Sequence, residues 1–371
     1  MLSIWEKRSF INYDIIIIGA GITGLSTAAS LKEKQPSLDI LVLERGLLPT
    51  GASTKNAGFA CFGSLTELQN DLENLGEQKT LELVEMRWNG LLKTRSRVGD
   101  KKIGFAQKGG YELLFDREDM NDSIDYFNKL LRPIFNKEVF RDATSQLSST
   151  GFGMTEQLLY NQFEGQIDTG LLMRNLWRYC NELGIQIITG ALVTHLEQNK
   201  VIANIRHSFA AKRIVLCTNA FTNGLIEDNY TRDIQPGRGI VLAIAPKQKL
   251  SFEGTFHYDQ GYYYFRDLDD LLIYGGGRNL DPDTENTTLF EINQTIREKL
   301  IHDLDHIILP NQSYEILQEW SGIMAFGSNK YPIIQRHPSG WYLGVRLGGM
   351  GVAIGSQVGE ELAHMVLSDG L

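Results

Sequence analysis

The apolar positions of this chain change their period from segment to segment, and those changes predict its elements. Ile15-Ile16-Ile17-Ile18 is an unbroken apolar run, so Tyr13–Ile18 reads as a buried strand. Gly19-Ala20-Gly21 interrupts it, and a helix begins near Ile22. Ile40-Leu41-Val42-Leu43 reads as a second buried strand. From Leu65 to Val98, residues such as Leu68, Leu72, Leu75, Leu81 and Leu91 recur at mostly helical spacing, which predicts one long helical stretch. Ile103–Phe115 is strand-like with Gly109-Gly110 as a hairpin turn, and Ile124–Leu131 is helical. Asp168 suits the cap of a helix over Gly170–Leu183, with Gly184 as its stop.

Further along, Ile185–Ile188, Ala191–Leu196 and Arg213–Cys217 read as strands. A strand-rich block follows from Gly237 to Gly277, containing Gly239–Ile244, Gly261–Arg266 and Leu271–Tyr274. Within it Asp267-Leu268-Asp269-Asp270 suits a solvated hairpin turn. Leu289–Ile307 reads as helix, Trp341–Val345 as strand, and a glycine loop then leads into a helix through Leu367. Strands and helices alternate throughout, which favours an α/β class over separate all-α and all-β halves.

The first strand, turn and helix carry candidate chemistry. Gly19 permits a tight turn, Gly21 lets backbone approach a phosphate, and Gly24 lets the helix pack closely on the strand. A helix starting at Ile22-Thr23 aims unpaired N–H groups and its positive dipole end at an anion. Glu44 closes the second strand twenty residues after Gly24, where a carboxylate can accept hydrogen bonds from ribose hydroxyls. Together they predict a dinucleotide site.

Composition narrows the partners. The chain has 371 residues, 42% hydrophobic and 22% charged, enough for about two domains and unlike a disordered or fibrous protein. A formal charge of −9 argues against nucleic acid as the main partner. No apolar run approaches the ~20 residues that span a bilayer. Cleavage after Ile15–Ile18 would destroy the glycine turn, so that run does not read as a signal peptide. Cys61, Cys180 and Cys217 are odd in number and lack metal-type spacing, so reduced thiols in a cytoplasmic protein are expected. His302 and His306 stand four apart beside Asp303 and Asp305, a solvated helix face with no third metal ligand evident, so no metal site is expected.

Four segments together resemble the D-amino-acid oxidase-like family of FAD-dependent oxidoreductases. They are Gly19–Gly24 with Glu44-Arg45, the loop Gly51-Ala52-Ser53-Thr54-Lys55-Asn56-Ala57-Gly58, Gly165–Asp168, and Gly344–Val352. The resemblance implies a discontinuous Rossmann-type FAD-binding domain over 12–98, 153–232 and 320–371. It also implies an inserted antiparallel-sheet substrate domain over 99–152 and 233–319. It places the Ser53–Gly58 loop beside the pyrophosphate and the isoalloxazine ring, Val193 against the adenine, and Gly348-Gly349-Met350-Gly351 at the opposite edge of the flavin. A nicotinamide dehydrogenase would have no reason to carry that second glycine loop and helix.

The implied activity is oxidation of the C–N bond of a small amine or amino acid, by hydride transfer to flavin N5, with oxygen or another electron acceptor downstream. A flavin dehydrogenase of a 2-hydroxy acid and a redox-inert FAD-binding subunit are the alternatives. Two departures from the family pattern stand out. Trp320-Ser321-Gly322-Ile323-Met324 puts Met324 where relatives carry a carboxylate-binding Arg, and Arg278 is assigned either a displaced anion contact or an interdomain salt bridge. Ile273 falls where sarcosine oxidase-like relatives place a flavin lysine. Tyr262 and Tyr264 share one strand face and are either substrate contacts or sheet aromatics. The flavin is expected to be non-covalent, because no cysteine lies in Trp320–Pro332.

Overall fold

A computed structural model describes residues 2–226 and 228–370. Two eight-stranded sheets organise them. The first is built on the apolar runs. Asn12–Ile18 lies between His207–Leu216 and Ile40–Leu43, parallel to both. Tyr342–Val345 and Gln186–Ile188 extend the parallel row on either side. Ile15, Ile16 and Ile17 have no exposed surface. Burial on both faces is why the run is continuous rather than alternating.

Helices Ile22–Lys34, Glu77–Val98, Thr169–Glu182 and Gly351–Ser368 contribute to the same core. The first and last of these pack on each other through glycine. A Cβ at Gly359 would stand 2.7 Å from the Thr27 nitrogen, and one at Gly355 the same distance from the Ile22 side chain. This close crossing brings residues far apart in sequence to one end of the sheet.

The second sheet runs in the order Tyr314–Phe326, Gln235–Pro246, Leu271–Gly276, Tyr263–Leu268, Thr255–Tyr258, Gly110–Leu114, Gln157–Asn161 and Phe140–Asp142. Its pairs are antiparallel except Thr255–Tyr258 with Gly110–Leu114. Gln157–Asn161 and Trp320–Phe326, grouped by the sequence with the nucleotide-binding segments, belong to this sheet's ladders. Phe256, Phe265 and Tyr274 on one face build a separate core against the Gln294–Asp303 helix.

Several elements differ from their sequence signals. The stretch Leu65–Val98 is two helices, Leu65–Leu75 and Glu77–Val98, broken at Gly76 with φ of 79°. Gly109-Gly110 is no hairpin turn: Gly110 opens a strand ending at Leu114, and Asp100–Ile103 is a short helix stopped by left-handed Gly104. The helix expected over Leu289–Ile307 starts only at Gln294, where Asn293 caps it. Asp267 is buried rather than solvated, accepting from the Lys108 ammonium at 2.5 Å and the Gly254 amide at 2.7 Å. The two-residue turn of that hairpin is Asp269-Asp270 alone.

Candidate active site

Between the two sheets lies a cavity of about 910 Å³. Every site residue singled out from the sequence lines it except Gly24, Thr54, Gly58 and Ile273. At one end the wall is backbone. Gly19 adopts φ of 102°, and a Cβ there would lie 2.7 Å from the Cys217 carbonyl oxygen. A Cβ at Gly24 would lie 1.9 Å from the Gly19 oxygen, so helix and turn meet with no room for a side chain. Gly21 caps the Ile22–Lys34 helix, and the Ile22 amide donates to Ser53 Oγ at 3.0 Å. Beside it Thr23 Oγ1 is buried with no hydrogen-bond partner.

The Glu44 carboxylate accepts from the amides of Ala20 and Gly46, each at 3.0 Å, and is thereby fixed at the cavity edge. Arg45 lies 3.6 Å over the Phe221 ring. Val193, which opens the Val193–Glu197 strand, lines the same end.

Four side chains hold the Gly51–Gly58 loop. Thr54 Oγ1 donates to the Pro49 carbonyl at 2.7 Å. Asn56 Oδ1 accepts from the Gly58 amide and the Thr169 hydroxyl, both at 2.9 Å. The third anchor, Arg266, carried no signal in the sequence. Its buried guanidinium donates to the carbonyls of Ala57 at 2.5 Å, Ile167 at 3.0 Å and Asp267 at 3.0 Å. Trp320 Nε1 donates to the Lys55 carbonyl at 3.0 Å, tying the loop to the second sheet. Across the cavity Gly348 and Gly349, with φ of 59° and 81°, lead through Met350 into the Gly351–Ser368 helix.

At the other end the wall is side chain. Tyr264 faces the cavity, while its neighbours Tyr263 and Phe265 belong to the opposite core. Burial pushes the Tyr264 hydroxyl up to about 12, so it is a hydrogen-bond donor at neutral pH. Met324 and Tyr264 both close over Gly239: a Cβ there would meet the Met324 methyl at 3.0 Å and the Tyr264 oxygen at 4.0 Å. Tyr262 lies just before the strand rather than on it, yet still reaches the cavity.

Arg278 lies 3.7 Å from the centre of the Phe326 ring and 5.3 Å from that of Tyr262. It forms no hydrogen bond or ion pair among the described residues. Burial lowers its pKa, a cost that an anion in the cavity would relieve. Ile273 is buried against Ala57, Tyr264 and Trp320, so an apolar side chain faces the loop there. Two further cavity residues, Cys61 and His257, were not grouped by the sequence. His257 pairs with Glu164, ninety-three positions away. Cys61 lies within 4.8 Å of both, so a thiol, a carboxylate and an imidazole meet at one buried point of the wall.

A parallel α/β sheet joined to an antiparallel sheet, with a glycine turn, a small-residue loop and a second glycine-bounded helix on one cavity, defines a dinucleotide-dependent oxidoreductase fold. Residues 14–365 match the family described as FAD dependent oxidoreductase (DAO), and the chain belongs to it. It is similar to a probable oxidoreductase, OrdL, of Haemophilus influenzae, with 23% identity covering 96% of this chain and 83% of the relative. It is also similar to the gamma-glutamylputrescine oxidoreductase of Escherichia coli, with 21% identity over 97% and 84% of the two chains. Among solved structures, glycine oxidase from Geobacillus kaustophilus shares the fold with a TM-score of 0.74 and 19% identity, over 96% of this chain and 95% of that one.

The residues present fit FAD. Thr23 Oγ1 is an orphaned polar atom at a helix N-terminus, and the glycine cradle would be filled by any Cβ. No helix among the described residues is long and apolar enough to cross a membrane.

Proposed function

We propose that this protein binds FAD without a covalent link and oxidises the C–N bond of a small amine or amino acid bearing an anionic group. Arg278 carries the substrate half of this proposal. It is a guanidinium with no hydrogen-bond or ion-pair partner among the described residues, set against two aromatic rings in the cavity wall. A planar fork of donors in a low-dielectric wall suits a carboxylate. Met324, where glycine oxidase-like relatives carry an Arg, offers only apolar contact, which leaves Arg278 as the candidate for the anion.

The bound flavin supplies a two-electron acceptor at N5, and the imine product is hydrolysed by water. This chain's residues do the rest. The Ile22–Lys34 helix N-terminus with Thr23 holds the pyrophosphate, and Glu44 the ribose. The Ser53–Gly58 loop and Gly348–Gly351 hold the ring from opposite edges. Tyr262, Tyr264 and Arg278 orient the substrate, so that positioning in a dry pocket is the main catalytic contribution. Cys61 and Cys217 line the cavity, and burial raises both thiols, Cys217 to about 12, which disfavours the thiolate that tethering the ring would need.

The test is anaerobic mixing of the yellow holoprotein with amines, amino acids and 2-hydroxy acids. Bleaching of the flavin band by an anionic amine is the expected result. Bleaching only by hydroxy acids, or by nothing, contradicts amine oxidation. Hydrogen peroxide on re-aeration then tells whether oxygen or another carrier takes the electrons.

A further inference from the structure

The best-placed proton-handling group in the cavity is His257. On the Thr255–Tyr258 strand it stands directly opposite Tyr264 on one side and Glu112 on the other, so all three share one sheet face. Its ring meets the Phe59 ring edge-on at 5.1 Å, one residue past the Ser53–Gly58 loop. His257 Nε2 lies 2.9 Å from Glu164 Oε2. Glu164 is 1% exposed, and the same oxygen accepts from the Thr255 hydroxyl at 3.0 Å, so the carboxylate cannot swing away.

The second ring nitrogen, Nδ1, has no partner among the described residues. It is not fully enclosed, and His257 lines the main cavity as well as a small pocket shared with Glu112 and Glu164. The hydrogen-bond network therefore assigns the proton to Nε2 and a lone pair to Nδ1. Carboxylate, imidazole and an open nitrogen in that order form the arrangement that makes a histidine a general base.

We propose that His257, oriented by Glu164, is the catalytic base that removes a proton from the ammonium group of the bound substrate. This rests on the amine-oxidation proposal above. One N–H bond of the ammonium breaks and an Nδ1–H bond forms. The nitrogen lone pair thus freed lets the adjacent carbon surrender its hydride to the oxidised flavin, the family's own oxidant. The resulting imidazolium is balanced by the Glu164 carboxylate.

The surroundings support that role. Burial is the largest influence and disfavours the imidazolium, but Glu164, Glu112 and Glu67 together outweigh it, so the His257 pKa lies above its ordinary value. The groups facing it are Glu164, Glu112, Glu67 from the Leu65–Leu75 helix, Cys61 and Tyr264. Glu67 is itself shared with Lys330 at 3.1 Å and Arg87 at 3.6 Å. Glu112 is anchored by the hydroxyls of Ser64 and Thr66, and burial raises its carboxyl pKa. A raised His257 pKa lies nearer to that of an ammonium, which lowers the cost of the transfer. The base must be neutral to act, so turnover rises as pH climbs through the His257 pKa.

Two measurements test this on the full-length holoprotein. NMR titration of the His257 ring should give a midpoint above the ordinary histidine value, lowered in Glu164→Gln; equal midpoints in the two proteins overturn the dyad. Anaerobic flavin reduction by an amine that bleaches the wild type is then followed against pH. His257→Asn should slow it by about 10²-fold or more at neutral pH. It should also move the rising limb to the amine's own pKa, with FAD content unchanged. A wild-type limb retained in His257→Asn overturns His257 as the base while leaving amine oxidation standing. A panel in which no amine bleaches the flavin overturns both. Should His257→Asn fail to fold, the Glu164→Gln protein decides through the same two readouts: its limb must shift down with its titration midpoint.

Discussion

The two ends of the cavity are built from different materials. The end proposed to take the nucleotide is backbone: a Cβ at Gly19 or Gly24 would strike a carbonyl oxygen, and the Ile22–Lys34 helix begins there. The substrate end is side chain: a row from Glu112 through His257 and Tyr264 crosses three neighbouring strands of the second sheet. An anionic dinucleotide can be recognised by amides that every residue carries, provided the side chains stay out. A small substrate needs particular heads at particular places, and only assembled strands can place them. Substitution at Gly19 or Gly24 should therefore disturb the fold itself, while substitution at His257 or Tyr264 should fall mainly on the chemistry.

Gly24→Ala should break the nucleotide end most severely. A Cβ 1.9 Å from a backbone oxygen forces helix and turn apart, costing about 3 kcal/mol or more and abolishing the flavin spectrum. Retention of FAD with an unchanged Tm would show that the turn is not sterically closed. Arg266→Met comes next. It removes a buried charge from three carbonyls and should cost about 3 kcal/mol with weaker FAD binding, measured by thermal melts and flavin fluorescence. If only stability falls and flavin affinity is untouched, Arg266 braces the sheet and not the loop.

Arg278→Ala should do the reverse: full flavin content, but a KM for the anionic substrate raised about 10–100-fold, the value of a charge-assisted hydrogen bond. An unchanged KM and kcat removes Arg278 from the site. Ser53→Ala should be mildest, about 1 kcal/mol through the lost bond to the Ile22 amide, read as roughly fivefold weaker FAD binding.

The same contrast explains what the sequence could reveal. Gly19–Gly24 and Glu44 are readable because strand, turn and helix are contiguous and the steric demand falls on residue type. The Gly51–Gly58 and Gly348–Gly351 segments are readable only together, since either alone is an ordinary glycine-rich turn. Tyr264 was visible through strand alternation, which gives its face but not what the face meets. His257 and Glu164 left no pattern, because they are ninety-three positions apart and join only when Thr255–Tyr258 pairs beside Gly110–Leu114. Arg266 was hidden likewise, its partner Ala57 lying 209 positions away. The break at Gly76 was masked because the apolar spacing on both sides remains helical.

A crystal structure of the protein with FAD tests the central claim most directly. The pyrophosphate is expected on the amides that begin the Ile22–Lys34 helix, and the isoalloxazine ring between Ala57-Gly58 and Gly348–Gly351, with one face toward Tyr264. Density for the ring outside this cavity, or a dinucleotide that engages the first glycine turn and never reaches the second, would contradict it.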